Sequence, residues 1–550
     1  MKNIYIDIME RALGAYTDAR IDEYIARVKR EGITEHGFPR LTANIGILIA
    51  HGRRCDLKER FLDMMDFCCE TLPYRKAAND FSIRELVFAL LEWERMGYDC
   101  TKWRRDLAAV DPFKCYSCIA KKPTDSVGNW AMFGCTSEYL REFAGIGDAS
   151  AFLELHMPTQ LQEFDESGLY RDPNCPMVYD LAVRVLLSVM LHYGYRGRFR
   201  DEADEYLKRG GLLTLKLQSS CGEIPFGGRS NQFLLNEAML AAVCEAEANR
   251  YHRMGDKELA GQFKDAAALA ADNIMGWLDH CGGQKHIKNR YPQDSGFGCE
   301  GYGYFDKYMI TLASNIYCAY VMADDSILPL DCPAKVGGFT LKTSDNFHKF
   351  IANCGGYMLE FDLNADLKYD ANGLGRIHRN GAKPTVALSV PFPKTPANYV
   401  TAGENVHPLA MCAGSVTADG IVYACCEPQI LDVKVTREDS ELVAFELICT
   451  AGGRKLTEAY EVSADGVKIT VSGEGEIAYA IPIFRFDGKV EAEVKKAENR
   501  IVLFYEGSSY AVEADCSLIA DGVDFYNRNG AYTLYHAQGH DKICLKLTIE

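Results

Sequence analysis

The feature that most constrains this chain is an alternation of two kinds of helix. Patterns apolar nearly all round begin near residues 41, 81, 128, 177, 231 and 302. Most of the intervals also hold a second, amphipathic helix, as at 61–70, 151–163, 200–217 and 256–278. A helix that is apolar on every side must be buried on every side, whereas one with a polar face belongs outside. Six inner and six outer helices make an (α/α)6 toroid. A helical solenoid stacks such pairs too, but on a regular repeat. Here the intervals lengthen from about 40 to about 71 residues with no fixed consensus, which favours the closed ring.

The helical pattern stops at Asp324-Asp325 and at the prolines Pro329 and Pro333. Beyond them the chain alternates with period two, as in Val433–Thr436 and Val443–Leu447. Tyr460–Val462 and Val467–Val471 flank Asp465-Gly466, a hairpin signal. The reading is an α+β multidomain protein: a toroid over 1–325, a linker over 326–337 and an antiparallel β-sandwich over 338–550.

Across 550 residues the formal net charge is −17, which argues against nucleic acid or an anionic membrane as the partner. No apolar run reaches the roughly 18–20 residues of a membrane span. The opening MKNIYIDIMERAL lacks the basic and apolar regions of a signal peptide. The 21 cysteines are irregularly spaced and odd in number, which suggests reduced thiols. These features together point to a cytoplasmic protein. Cys115 and Cys118 form the only C-x-x-C pair, and no second half-site accompanies them, so neither a metal nor a cofactor is expected. A homo-oligomer is compatible with the sequence.

The inner helices carry polar groups where a plain core helix would not. Asp180, Arg184 and Ser188 step by four along one helix face. Arg84 and Glu85 open another helix, Asn129 and Trp130 a third, and Ser230 and Asn231 a fourth, in the stretch GEIPFGGRSNQFLLNEA. Tyr179 stands beside Asp180 on the first of these helices, and Tyr302 at a fifth start. The intervening loops, among them Pro73–Asp80 and Cys281–Gly301, are also polar. If the inner helices run parallel, these starts meet at one mouth. Bland alternatives exist: Ser230 and Asp80 as N-caps, and Asp180–Arg184 as a structural ion pair. Five polar starts at one end of a ring, however, ask for a shared explanation. Aromatic rings stack on sugar faces, and arginine forks bind carboxylates. Arg84, Arg184 and Arg229 in an acidic protein therefore suggest a uronic acid. No phosphate-binding loop, G-x-S-x-G elbow or H-E-x-x-H motif occurs.

The toroid-plus-β pattern resembles heparinase II/III-type polysaccharide lyases and the unsaturated glucuronyl hydrolases. The stretches GNWAMFGCTSEYL, YRDPNCPMVYDLAVRVLLSVMLHYGYRG, IPFGGRSNQFLLNEA and DANGLGRIHRNG resemble glycoside hydrolase family 154. That likeness implies a β-glucuronidase acting at the terminal residue of a glycan. A glycosidase needs two carboxyl groups across the bond. The candidates are Asp180, Glu223 and Glu300, with Glu85 and Asp294 in reserve. Substrate binding is expected from Arg84, Glu85, Asn129, Trp130, Tyr179, Arg184, Arg229, Ser230, Asn231, Tyr302 and His378. The last lies in GLGRIHR, read as a basic loop beside the Asn372-Gly373 turn signal. The same residues also offer a second kit, that of a lyase: Asn129, Tyr179, His192, Tyr302 or His378 as base or neutralising group. A third reading is a non-catalytic glycan-binding protein.

Overall fold

The computed structural model describes residues 2–74, 79–281 and 285–550, so the polar stretches expected at 73–80 and 281–301 lie partly outside the described residues. The chain forms two compact units, neither continuous in sequence. One comprises Met1–Leu213, Leu234–His286 and Tyr304–Leu330; the other comprises Thr214–Phe233, Ile287–Gly303 and Asp331–Glu550.

The first unit is helical. Its elements are α1 (Lys2–Ala12), α2 (Asp18–Glu31), α3 (Gly37–Ala50), α4 (Lys58–Thr71), α5 (Ile83–Arg95), α6 (Thr101–Ala108), the single turn α7 (Pro112–Cys115), α8 (Trp130–Phe143), α9 (Ser150–Leu161), α10 (Met177–His192), α11 (Arg200–Leu217, running on into the other unit), α12 (Leu235–Met254), α13 (Lys257–Cys281) and α14 (Phe305–Met322). The apolar helices touch in sequence: α3 meets α5, then α8, α10, α12 and α14 follow, and α14 returns to α3. That closure excludes the solenoid. The amphipathic α4, α9 and α13 back onto α3, α8 and α12. The outer partner of the last inner helix comes from the chain's start, where α1 packs on α14.

Burial follows the pattern that predicted it. In α3 every residue from Gly37 to Ile49 is buried. Each fully buried Leu or Ile contributes about 1.5–3 kcal/mol relative to exposure. Close approach of inner to outer helix needs Gly46, because a Cβ there would stand 2.2 Å from the Phe61 ring.

The second unit is antiparallel. Strands β1 (Gly337–Lys342), β2 (Lys349–Cys354), β3 (Tyr357–Asp362) and β4 (Gly373–Arg379) form a four-stranded sheet in that order. The larger sheet has 11 strands, centred on Gly466–Phe486 paired with Ala531–Ile549. The sheets share one core, in which Phe361 of the smaller sheet meets Phe445 and Tyr460 of the larger at 5.5 and 5.1 Å between centroids. The expected hairpin forms: Ser463 pairs with Gly466, so Ala464-Asp465 is its two-residue loop. GLGRIHR, read from its sequence as a basic loop, is a strand. It is β4, buried from Gly373 to His378, because its polar side chains find buried partners.

Candidate functional site

The densest polar structure in the β-rich unit surrounds the loop 224–232. Gly227 and Gly228 have φ of 137° and 74°, and Ser230 and Gln232 adopt left-handed φ of 58° and 65°. Such conformations cost non-glycine residues of order 1 kcal/mol or more and persist where neighbours enforce them. Here two carboxylates do so. Asp370 Oδ2 accepts the Gly228 N–H at 3.0 Å, and Glu300 Oε1 accepts the Ser230 N–H at 2.5 Å. Arg229, half-buried, stands between the two anchored amides. At Gly227 the φ favours glycine, and a Cβ there would lie 3.1 Å from Lys349 Nζ. Glu300 is gripped by Arg528 through Nη2–Oε1 at 2.7 Å and Nη1–Oε2 at 3.1 Å. The Arg528 guanidinium in turn lies 3.7 Å from the Tyr399 ring centroid. Tyr302 Oη and Ser230 Oγ share a hydrogen bond of 3.0 Å. Asn231 turns inward, its Nδ2 donating to the Pro225 carbonyl at 3.2 Å.

Beside this loop, Glu223 sits between two cations: Lys288 Nζ at 3.2 Å from Oε1 and Arg376 Nη2 at 3.2 Å from Oε2. Burial would raise its pKa, but Lys288 and then Arg376 override burial and hold it well below the ordinary range. Arg376 also reaches Glu360 Oε2 at 2.9 Å and the carbonyls of Ile224 and Ser389 at 2.7 and 2.9 Å. His378 lies between Ser219 Oγ at 3.0 Å and Ser389 Oγ at 3.1 Å. Ser389 donates its own proton to the Pro384 carbonyl, so it accepts from His378 Nε2–H, and Nδ1 accepts from Ser219. Burial, then Arg376, push the His378 pKa down to about 3, so the ring is neutral.

The helical unit holds the remaining candidates. Asp180 Oδ2 meets Arg184 Nη2 at 2.5 Å, and its Oδ1 accepts from Arg184 Nε at 3.0 Å and from the Tyr170 N–H at 2.8 Å. Both side chains are 1% exposed. Burial raises the Asp180 pKa and Arg184 opposes it. Arg84 and Arg40 share Glu85, at 2.6 and 3.3 Å. Arg40 also lies 3.0 Å from His36 Nδ1, and burial holds His36 neutral. Over these charges Phe81 packs 4.9 Å from Phe133 and 6.1 Å from Trp130, with Lys122 Nζ 4.2 Å above the Trp130 ring. Phe81, Phe133 and Trp130 are all half-buried, as is Tyr179. Asn129 donates to Asp172 at 2.6 Å.

The structure thus brings Glu300, Ser230 and Tyr302 together around Arg229, and places Glu223 near His378. It keeps Asp180 with Arg184 and Arg84 with Glu85 in the helical unit. Asp180 and Glu223, expected as one catalytic pair, belong to different compact units, and each has its own cations. His192 is exposed at the C-terminal end of α10, three turns beyond Asp180. Sequence reasoning missed Lys288, Lys349, Asp370 and Arg528. Only Asp370 had a local signal, two residues before the Asn372-Gly373 turn; the others announce themselves through partners distant in sequence.

No protein-family model matches this chain, and no curated protein matches it. Solved structures do. A variant of the Streptomyces coelicolor A3 chondroitin AC lyase aligns with a TM-score of 0.51 at 12% identity, covering 99% of this chain and 79% of the other. A heparinase III aligns at 0.39 and 10% identity, covering 94% and 85%. A glycosyl hydrolase family 88 protein from Bacteroides vulgatus aligns at 0.38 and 10%, covering 58% and 98%. This chain shares the toroid-plus-sheet fold of chondroitin AC lyase. At such identities the likeness is one of fold.

Proposed function

We propose that this chain is a carbohydrate-active enzyme that cleaves uronate-containing glycans by β-elimination. The observation that carries the reading is the condition of the three carboxylates on which hydrolysis was expected to turn. Asp180 is engaged by Arg184, Glu223 by Lys288 and Arg376, and Glu300 by Arg528. A glycosidase needs one carboxyl group ready to give a proton and another across the bond. A carboxylate clamped by a buried guanidinium is a poor candidate for either task. Elimination asks instead for a cation at the uronate carboxylate, which makes the C5 proton more acidic, and for a base beside C5. Arg229, on its doubly anchored loop, is suited to the first role, because its planar fork matches a carboxylate. The enzyme whose fold this chain shares is by name a chondroitin lyase.

The test is to incubate the protein with uronate polysaccharides and with an aryl β-glucuronide. Elimination leaves a C4=C5 unsaturated uronate with a new ultraviolet absorbance. Release of free glucuronate without that absorbance overturns the reading and favours β-glucuronidase activity. That second reading draws on the family 154 resemblance and on Glu360, whose pKa burial pushes up to about 7 against the pull of Arg376. Binding without any product would favour a glycan-binding protein.

A further inference from the structure

We propose that Asp370 is the base that takes the C5 proton of the bound uronate, an inference that rests on the elimination reading above. Among the buried carboxyl groups Glu223, Glu300, Glu360, Asp362 and Asp370, the first four each touch a cation: Lys288 and Arg376, Arg528, Arg376, and Lys349 with His348, respectively. Among the described residues no cation makes ion-pair contact with Asp370. Its Oδ2 accepts the Gly228 N–H, and its Oδ1 has no hydrogen-bond partner among the described residues. The side chain is 5% exposed, where Glu360 and Asp362 are fully buried.

Position supplies the second half of the argument. Gly228, which Asp370 anchors, is the immediate neighbour of Arg229. In a uronate the carboxylate and the acidic hydrogen are both attached to C5. Asp370, hydrogen-bonded to the residue next to that carboxylate's proposed partner, is therefore the carboxyl group assigned to C5. The charges facing Asp370 are Lys349 and Arg528, which favour its ionised form, and Asp362, which opposes it; the Tyr399 ring lies in the same field. Burial is the largest influence and pushes the Asp370 pKa up to about 6. An aspartate so tuned is ionised at neutral pH and more basic than an exposed one.

The step balances as follows. The C5–H bond breaks and its proton forms an O–H bond on Asp370. The released electron pair makes the C4=C5 double bond. The C4–O bond breaks, and the departing glycosidic oxygen takes the proton back from Asp370. The products are an unsaturated uronate and a sugar with a free hydroxyl, and the carboxylate is restored.

The experiment compares wild type, Asp370→Asn and Asp370→Glu on a uronate polysaccharide that wild type cleaves, with folding checked by circular dichroism. Asparagine keeps an oxygen for the Gly228 N–H, so the variant removes the base and leaves the anchor. The Asn variant is expected to lose at least about 100-fold in kcat. Asp370→Glu should regain part of that loss. Wild-type kcat should rise as pH climbs through about 6, where Asp370 ionises, and level off above it. A folded Asn variant that keeps more than about a tenth of kcat overturns the proposal. A wild-type profile without the rise near 6 does the same, even if the Asn variant fails to fold. Absence of unsaturated product from wild type on any uronate polymer is the distinct failure of the elimination reading, and it removes the reaction Asp370 would serve.

Discussion

Asp370 and Glu300 accept backbone N–H groups from residues 228 and 230, one on either side of Arg229. Two carboxylates from separate parts of the chain therefore fix the backbone that carries a single arginine. They differ in how they are held: Glu300 is clamped bidentately by Arg528, while Asp370 has no ion-pair partner among the described residues. Asp370 is thus left to exchange a proton.

The loop's rigidity makes Arg229 testable. Arg229→Lys keeps the charge and loses the planar fork. For a substrate bearing a uronate, kcat/KM should fall by about 10–100-fold, the range of a charge-assisted hydrogen bond. A neutral sugar analogue should lose much less affinity in a binding titration. Equal losses on both would show that Arg229 supports the loop alone.

Glu223 belongs to a different class. Glu223→Gln leaves Lys288 and Arg376 short of a buried counter-charge, and breaking such a pair typically costs 3–5 kcal/mol. The variant should denature at a lower urea midpoint. Because the Glu223 pKa is depressed in the fold, its contribution is present above the ordinary glutamate value and is lost as pH falls through the depressed one. The difference between wild type and Glu223→Gln should therefore narrow in acid. Denaturant midpoints at pH 7 and near the depressed value, about 2, measure this.

How much of this was legible in the sequence depends on the range of the interaction. The ring of helices was legible because an all-apolar helix such as α3 has one way to be buried, and the i,i+4 pair Asp180–Arg184 because both partners sit on one helix. What the sequence hides is the pairing of Glu223 with Arg376, 153 residues on, and of Glu300 with Arg528, 228 residues on. A carboxylate that is about to be clamped looks the same in sequence as one left free. Asp180, Glu223 and Glu300 thus stood out for their positions beside polar loops, while Asp370 stood unremarked in YDANGLG. The β4 segment was misjudged for the same reason: Arg376 and His378 look solvated until Glu223, Glu360, Ser219 and Ser389 are seen around them.

In the helical unit, Trp130 offers a half-exposed ring beneath Lys122. If that face stacks on a sugar, Trp130→Ala should raise KM for a long glycan several-fold more than for a disaccharide, with kcat little changed. Stacking of this kind is worth about 0.5–1.5 kcal/mol beyond area burial in aromatic pairs. Steady-state kinetics on oligosaccharides of graded length would measure the effect; a uniform change across lengths would assign the ring to the unit's own packing with Phe81.

Asp370 also leaves a signature in stability that needs no substrate. Its pKa is raised to about 6 in the fold from an ordinary value near 3.8, so the folded state holds the proton more tightly than the unfolded chain does. Stability from that proton is fully present below the unfolded value and is lost as pH rises through about 6. Above that pH the native protein carries a buried carboxylate with no ion-pair partner among the described residues. Asp370→Asn removes the charge and keeps the acceptor for the Gly228 N–H. The variant should therefore match wild type in Tm near pH 4 and exceed it above pH 7. Calorimetric Tm measured across that range tests the sign. If Asp370→Asn is less stable than wild type at every pH, the carboxylate is a structural partner of Lys349 and Arg528. If the gain appears only above pH 6, the protein is holding a destabilising charge at this position, as sites that use a tuned acid or base commonly do.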